Sequence, residues 1–477
     1  MYKTDKIIQG LFITAMLGTA ACKVPAITAR GDLKPVPASF ATSTDTSNTA
    51  AVSWRNFFTD KNLVALIDTA LKNNQELMIT LQEIEIARNE IGVRKGAILP
   101  NVTVGAGVGV EKVGRYTSQG AGDAGTEIKP GKEMPDPLTD FVAAARANWE
   151  VDIWRKLRNE KEAAVARYLS TIEGRNFVLT NLVAEIANAY YELLALDNQL
   201  ATVQQNIGIQ KNALDIVKVQ KEAARATELG VQKFQAEVLK SQSLEFEILQ
   251  QIKETENRIN LLTARYPQAV TRTKENFLAM PVSIVQTGIP SQLLINRPDI
   301  RQAELDLEAA KLDVKAARAE FYPSLEISAG IGVQAFNPTY LVKMPASLLY
   351  SLAGDLAGPL INRSAIKAAF NMANAKQLQA LYDYDRTILT AVLEVSTQLS
   401  NIQNLSENYS LKSKEVDALS RSIDIANDLF KSARADYFEV LMTQRDALEA
   451  KLELIETKKQ QMNAVVNIYR DLGGGWK

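Results

Sequence analysis

Two stretches of the chain repeat the same alternation of apolar residues with small or polar ones. Residues 95–110 align without a gap on residues 318–333, and after Pro100 and Pro323 every second residue is apolar. Such a period-two pattern predicts β-strands. An apolar face opposite a small or polar face is typical of transmembrane barrel strands. A half-buried strand of a soluble sheet has the same alternation, so the pattern alone leaves both interpretations open.

A second alternating segment follows each of these strands, after a loop rich in glycine, proline or aspartate. The sequence therefore predicts four strands, at about 100–113, 138–153, 323–336 and 347–361. Carboxylates recur on the polar faces and form a candidate set of lumen-facing residues. They are Glu111, Glu150, Asp152, Glu326 and Asp355.

Long helices are predicted after the second strand of each half. Apolar residues recur at every seventh position within residues 155–229 and within 364–432, which is coiled-coil spacing. About 70 residues at 1.5 Å each give roughly 100 Å, too long for the core of a globular domain. Each long helix ends in an irregular tip and returns as a second helix. The tips are predicted at about 229–233 and 433–437, and the returning helices at 234–265 and 438–472.

The N-terminus has the layout of a bacterial export signal. Two lysines precede the mostly apolar residues 7–17, and small residues lead to Cys22, the only cysteine of the chain. We expect lipidation of Cys22 after removal of residues 1–21, because the lipid of a bacterial lipoprotein is carried by a cysteine at the new N-terminus. Thr19 occupies a position where such signals usually have leucine. Ordinary cleavage with an unmodified Cys22 is therefore the alternative.

The composition argues against several functional classes. The 477 residues carry a formal net charge of −1, which gives no reason to expect a nucleic-acid partner. The chain has no histidine and no phosphate-binding loop, so we expect no catalytic, metal or cofactor site. No apolar run long enough for a spanning helix follows the signal, so the chain must enter a bilayer as strands if it enters one.

Four strands from one chain cannot close a membrane barrel. An open edge in hydrocarbon leaves backbone groups unpaired at a cost of several kcal/mol each, and small membrane barrels begin at about eight strands. Two symmetric copies would give eight strands with a filled interior, whereas three would give twelve around a water-filled lumen. The glycines of the polar faces, such as Gly105, Gly107 and Gly330, favour three copies.

Distinctive blocks of residues lie along the whole chain. They are Trp54-Arg55-Asn56-Phe57-Phe58, Trp149-Glu150-Val151-Asp152-Ile153-Trp154, Ala187-Asn188-Ala189-Tyr190-Tyr191, Arg297-Pro298-Asp299-Ile300-Arg301 and Leu472-Gly473-Gly474-Gly475-Trp476. In this order they resemble the outer-membrane efflux proteins of the TolC family. Within that family the chain is similar to the lipoprotein branch, called NodT-type or OprM-like, that serves resistance-nodulation-division pumps.

The resemblance implies an α+β membrane protein that forms a homotrimer. Four strands per chain would build a twelve-stranded transmembrane β-barrel, and coiled-coil hairpins would continue it as a long α-helical periplasmic barrel, with an internal two-fold sequence repeat. Such proteins are lipid-anchored in the bacterial outer membrane and extend into the periplasm. They are passive ducts that receive drugs, metal ions or other solutes from an inner-membrane pump through a periplasmic adaptor protein. The implied partners are further copies of the chain, the adaptor, the pump and outer-membrane lipid.

The same reasoning divides the chain into six segments. They are a signal peptide (1–21), a lipidated tether (22–60), a first repeat (61–265), a connector in the equatorial region (266–290), a second repeat (291–472) and a C-terminal tail (473–477).

Control of such a duct is expected at the hairpin tips, the chain segments at its periplasmic end. The family has two acidic residues just after the second tip, and here Glu439 keeps the first while Met442 replaces the second. Three copies of Glu439 would form a carboxylate ring. The alternative is a solvated carboxylate favoured by the helix dipole. Further tip candidates, expected to contact the adaptor or neighbouring tips, are Gly230, Lys233, Arg434 and Asp436.

Two other functions remain open at this point. One is a duct for protein secretion, and the other is a non-conducting trimeric coiled-coil surface protein. Alternating strands in both halves of the chain speak against the second, because a solid stalk does not need them.

Overall fold

The computed structural model describes residues 35–40, 48–273, 277–283, 286–358, 363–432 and 434–476. The chain divides into two compact units. The described residues of the first unit fall within 86–168 and 305–381, and those of the second within 32–85, 169–304 and 382–477.

Helices and strands follow a similar order in the two halves of the chain. The first half contains α1 (Trp54–Phe57), α2 (Lys61–Asn73), α3 (Gln75–Ala97), β1 (Asn101–Glu111), α4 (Ser118–Gly125), β2 (Glu127–Lys129), β3 (Lys132–Glu133), β4 (Leu138–Val151), α5 (Lys156–Glu222) and α6 (Glu228–Leu262). The second half contains α7 (Leu293–Asn296), α8 (Pro298–Ala319), β5 (Ser324–Ala335), β6 (Leu348–Ala357), α9 (Ser364–Lys431) and α10 (Tyr437–Asp471). The loop between β1 and β4 contains α4 and a small β2–β3 hairpin, which the sequence pattern did not predict.

Four strands of the first unit form one antiparallel sheet in the order β1-β4-β5-β6. Val104 lies opposite Ala145, and the same row continues through Ile331 to Tyr350. Large apolar side chains on this face are exposed, since Val104 is 85% exposed and Tyr350 and Leu352 are each 80% exposed. Among the described strands, β1 and β6 each have a neighbour on one side only. The sheet therefore has one uncovered apolar face and two unpaired edges.

Gly332 allows β5 to pack tightly against β4. A Cβ atom at this position would lie 2.4 Å from the carbonyl oxygen of Ala143 and 2.5 Å from the Cβ atom of Ala144. Gly105 lies in the same row across the sheet, yet a Cβ atom there would have no neighbour within 4 Å. The two glycines therefore differ in role. Gly332 is needed for the pairing of two strands, whereas Gly105 leaves the surface of the polar face open.

The second unit has a core built by helices. Its main hydrophobic cluster includes Leu63 and Ile67 of α2, Ile186 of α5 and Tyr469 of α10, all of them almost fully buried. The hairpin tips have a smaller core of their own. It consists of Leu214, Val217, Val231, Phe234, Val238 and Leu441.

None of the helices in the described part of the chain combines the length and the hydrophobicity that a membrane-spanning helix requires.

Buried charges fix the connector between the two halves. The guanidinium group of Arg272 donates hydrogen bonds to both carboxylate oxygens of Asp197 and, at 2.6 Å, to Glu256. Lys458 is also buried and donates at 2.5 Å to the carbonyl oxygen of Met280. Burial lowers the pKa of Lys458. Removing one partner of a buried ion pair costs about 3–5 kcal/mol, because the other charge is left uncompensated. The connector is thus held against α5, α6 and α10.

The first hairpin tip lies earlier in the chain than the predicted 229–233. Helix α5 ends at Glu222 and α6 begins at Glu228. Gly230 and Lys233 therefore belong to the first two turns of α6, so the prediction that both lie in the turn itself was wrong.

Helix-capping interactions explain the earlier position of this tip. Ala224 adopts the left-handed conformation with φ of 58°, and the N–H group of Arg225 donates at 2.8 Å to the carbonyl oxygen of Gln220. This arrangement ends a helix without glycine. The hydroxyl oxygen of Thr227 then accepts a hydrogen bond from the N–H group of Gly230 at 3.2 Å and caps α6. Glycine is the more usual signal for a helix end, which is why Gly230 suggested the wrong position.

Candidate channel lining and hairpin tips

The face of the sheet opposite the apolar one carries small and charged side chains. Glu150 of β4 lies opposite Glu326 of β5, and Glu326 lies opposite Asp355 of β6. We call these three carboxylates the acidic row. Like charges directly opposite each other destabilise a pair of strands. The acidic row is therefore a feature that the sheet does not require for its own stability.

Lys156, at the start of α5, neutralises part of the acidic row. Its ammonium nitrogen lies 2.8 Å from a carboxylate oxygen of Glu150. Burial alone lowers the pKa of Lys156, but the hydrogen bond and the negative charge of Glu150 outweigh it, and the pKa is raised overall. Glu326 and Asp355 are exposed. The row therefore keeps an excess of negative charge.

Asp152 does not face the lumen, so this part of the predicted set was wrong. The residue lies just beyond the end of β4, and its side chain is only 3% exposed. Its carboxylate accepts hydrogen bonds from the backbone N–H groups of Leu157 at 3.1 Å and Arg158 at 2.9 Å. It thus stabilises the N-terminus of α5, where a negative charge is favourable. The sequence pattern continues the alternation to Asp152, whereas β4 ends at Val151.

Two further charged residues lie on the polar face, outside the candidate set. Asp140 accepts two hydrogen bonds from the side-chain amide of Gln334, at 3.0 and 2.8 Å. Arg146 lies between Thr103 and Gly330 on the neighbouring strands and is exposed. Glu111 is the last residue of β1 and is exposed as well. The alternation of β4 is consistent with Asp140 and Arg146 on this face, and the strand register identifies their neighbours.

The two hairpin tips of one chain contact each other. A Cβ atom at Gly230 would lie 3.5 Å from ring carbons of Tyr437, so the glycine provides room for this ring. The ammonium nitrogen of Lys233 lies 5.0 Å from the ring centroid of Phe438, within the range of a cation–π interaction. Both predicted residues of the first tip therefore contact aromatic residues of the second.

The predicted residues of the second tip have different environments. The side chain of Asp436 accepts hydrogen bonds from the N–H groups of Phe438 at 2.6 Å and Glu439 at 3.1 Å, so Asp436 is the N-cap of α10. The side chains of Glu439 and Arg434 are exposed. Within the described part of the chain, neither side chain makes a hydrogen bond or an ion pair. Glu439 is thus free to interact with groups outside the chain.

The remaining site predictions concern metals and the lipid. Among the described residues, no group of acidic or cysteine side chains has an arrangement that could hold a metal ion. Cys22 lies outside the described residues. In the part of the chain that the structure describes, the polar face of the sheet and the hairpin tips are the two candidate functional regions.

A protein-family model described as outer membrane efflux protein matches residues 66–265 and 289–474 of the chain. Curated relatives show the same similarity. The pyoverdine export outer membrane protein OpmQ of Pseudomonas aeruginosa is 27% identical over 425 residues, which cover 89% of this chain and 87% of that protein. The cation efflux system protein CusC of Escherichia coli is 25% identical, with 93% and 94% covered. The probable outer membrane lipoprotein SilC of Salmonella typhimurium is 26% identical, with 93% of each covered.

Solved structures share the fold. The crystal structure of CusC has a TM-score of 0.80 and 23% identity, and covers 95% of this chain and 100% of that one. The open state of the MtrE outer membrane channel of Neisseria gonorrhoeae has a TM-score of 0.82 and 20% identity, with 95% and 98% covered. The predicted resemblance and fold class are thereby confirmed. The chain belongs to the outer membrane efflux protein family, and it is an efflux channel of the bacterial outer membrane with the trimeric barrel and helical periplasmic part of that family.

Proposed function

We propose that this protein is the passive duct of a tripartite pump, in which a resistance-nodulation-division pump of the inner membrane delivers solutes through a periplasmic adaptor. Proteins of the family are channels rather than enzymes. The relatives are named for the export of pyoverdine, cations and toluene. These names support export of small solutes, such as drugs or metal ions, rather than of folded proteins.

One observation carries the proposal, and it is the two-faced sheet with unpaired edges. Its large apolar side chains are exposed on one face, as lipid contact requires. Its other face carries small and charged groups, as a water-filled passage requires. Its edges β1 and β6 need partner strands from other copies, because unpaired backbone groups are costly in hydrocarbon. A non-conducting stalk would need none of these features.

The acidic row gives the duct a preference for cations. In a trimer it occurs three times around the lumen, and rings of carboxylates favour cation passage. Lys156 reduces the effect at Glu150, but Glu326 and Asp355 remain exposed. The preference should therefore be moderate, and it should respond in opposite directions to removal of the acids and removal of the lysine.

The hairpin tips form the periplasmic gate. Contacts between the two tips of one chain, such as that of Gly230 with Tyr437, hold each pair of hairpins together. Glu439 is exposed, so three copies can form a carboxylate ring that binds cations at the entrance. Arg434 is also exposed and is available for contacts with the adaptor or a neighbouring tip. Asp436 contributes as the cap of α10 rather than as a gate charge.

Cys22 anchors the mature chain to the membrane. It is the only cysteine and follows the export signal directly, and SilC, a relative named as a probable outer membrane lipoprotein, is similar over 93% of this chain. Buried methylene groups contribute about 0.8 kcal/mol each to membrane binding. The anchor therefore adds to the attachment that the strands provide.

Conductance in planar lipid bilayers tests the duct and the acidic row together. The wild-type protein should give channel currents with a higher permeability for K⁺ than for Cl⁻. The triple variant Glu150→Gln, Glu326→Gln, Asp355→Asn should conduct with a lower K⁺/Cl⁻ permeability ratio, because the row loses its charge. Lys156→Gln should raise the ratio, because it frees Glu150. Absence of current would contradict the duct, and an unchanged ratio in both variants would contradict the acidic row.

Two substitutions at the second tip separate a gate charge from a helix cap. Glu439→Gln should weaken the block of the current by Mg²⁺ added on the periplasmic side, because it neutralises the ring. Asp436→Asn removes a charge three residues away but keeps the cap, since asparagine and aspartate are equally good at this position. It should therefore leave the Mg²⁺ block unchanged. Equal effects of the two variants would refute the assignment of the ring to Glu439.

Mass spectrometry of the mature N-terminus tests the anchor. The wild-type chain should begin at Cys22 and carry the mass of a diacylglycerol group, whereas Cys22→Ser should give an unlipidated chain. A mature wild-type protein with an unmodified Cys22 would disprove the proposal, and residues 1–21 would then be an ordinary signal peptide.

A further inference from the structure

Among the described residues, Arg146 is the single basic side chain on the polar face of the four-stranded sheet. Strands β1, β4, β5 and β6 contain no other lysine or arginine. The same face carries several acids, namely Glu111, Asp140 and the acidic row. Arg146 lies in the second strand of the sheet, so both of its neighbouring strands belong to its own chain. Its immediate surroundings on this face are therefore set within one protomer.

The neighbours of Arg146 leave its guanidinium group available. Thr103 and Gly330 lie directly opposite it on the two adjoining strands, and Ser351 ends the row. None of these is an acid. Among the described residues, the guanidinium group of Arg146 makes no hydrogen bond and no ion pair. An exposed guanidinium group without a partner keeps all five of its N–H donors free for a ligand.

The acids of the same face either have other partners or lie too far along the strands to pair with Arg146. Glu150 is paired with Lys156 at 2.8 Å, and Asp140 with Gln334. Glu150 is four residues from Arg146, which is about 13 Å along a strand. The Debye length at physiological ionic strength is about 8 Å. Arg146 therefore presents a positive charge that the acidic row does not cancel.

Comparison of the two halves of the chain shows that the fold does not need this arginine. Thr103 and Glu326 occupy the same place in the repeated first strands. The residue opposite Thr103 is Arg146, and the residue opposite Glu326 is Asp355. The corresponding positions of the two halves thus carry opposite charges on the same kind of strand. A side chain needed for packing could not be replaced by one of opposite charge. A side chain that interacts with solutes in the lumen could be of either charge.

We propose that Arg146 is a specificity-determining residue of the duct, where three copies bind the carboxylate or phosphate groups of anionic solutes within a lumen that is otherwise acidic. The proposal rests on the proposed duct function. A planar guanidinium group matches both kinds of group through paired hydrogen bonds, and rings of arginine favour anions in pores. A solute that carries both charges could then bind Arg146 through its anionic group and the acidic row through its cationic group.

Chemical labelling tests whether Arg146 faces the lumen, without reliance on any current. Arg146→Cys and Ala145→Cys place a thiol on opposite faces of β4, and the wild-type chain has no cysteine besides Cys22. In the lipid-embedded protein, a negatively charged methanethiosulfonate reagent should add its mass to Arg146→Cys and not to Ala145→Cys. Labelling of Ala145→Cys alone would overturn the proposal, because it would place Arg146 against lipid.

Block of the bilayer current by anions tests the role itself. Citrate and inorganic phosphate should each block the wild-type current, and Arg146→Gln should weaken that block about tenfold or more, the loss expected from removing charged hydrogen bonds. Arg146→Lys should keep part of it, because the charge remains without the paired geometry. Weakened citrate block with unchanged phosphate block would identify carboxylates as the preferred group, and the converse would identify phosphates.

The outcomes distinguish failure of the proposed role of Arg146 from failure of the proposed duct function. Currents whose anion block is the same in wild-type protein and Arg146→Gln would overturn the role of Arg146 and leave the duct intact. Absence of current in every variant would contradict the duct and, with it, a role for Arg146 in its selectivity.

Discussion

The unpaired edges of the four-stranded sheet are the constraint from which the rest of the architecture follows. β1 and β6 each offer a row of backbone donors and acceptors with no partner in the described part of the chain. In the bilayer each such group costs several kcal/mol, so the chain cannot function in a membrane as a monomer. The family solves this by trimerisation. Twelve strands then close a barrel wide enough for water, and the same closure that satisfies the backbone creates the passage.

Within that closed sheet, side-chain identity decides what the passage does. Small residues on the polar face leave the space above the sheet unfilled. At Gly105, for example, a side chain would project into open space. Charges are then placed where the sheet gains no stability from them. The acidic row puts like charges side by side, and the guanidinium group of Arg146 has no hydrogen-bond or ion-pair partner among the described residues. Groups that do not stabilise the fold are those that remain available to solutes.

Sequence patterns predicted most of the fold, because alternation and heptad spacing are strong and repeated signals. The four strands and the two longest helices were expected from periodicity, the two returning helices from their composition after each tip, and the family resemblance was specific enough to give the trimer. Three features were not predictable in the same way. Asp152 continues the alternation of β4 but caps α5 instead, because a strand ends where its backbone pairing ends. The first tip precedes Gly230, because Ala224 ends α5 in a left-handed conformation that usually requires glycine. The pairing of Glu150 with Glu326 depends on strand register, which one sequence does not give across a long connection.

The number of chains in the assembled channel shows whether copies of the four-stranded sheet close one barrel. Native mass spectrometry of the full-length protein, released from detergent micelles, counts the copies without any assumption about conductance or partners. We expect a single species of three chains, because three four-stranded sheets close one barrel and leave no edge unpaired. A stable monomer or dimer as the membrane-inserted form would contradict it.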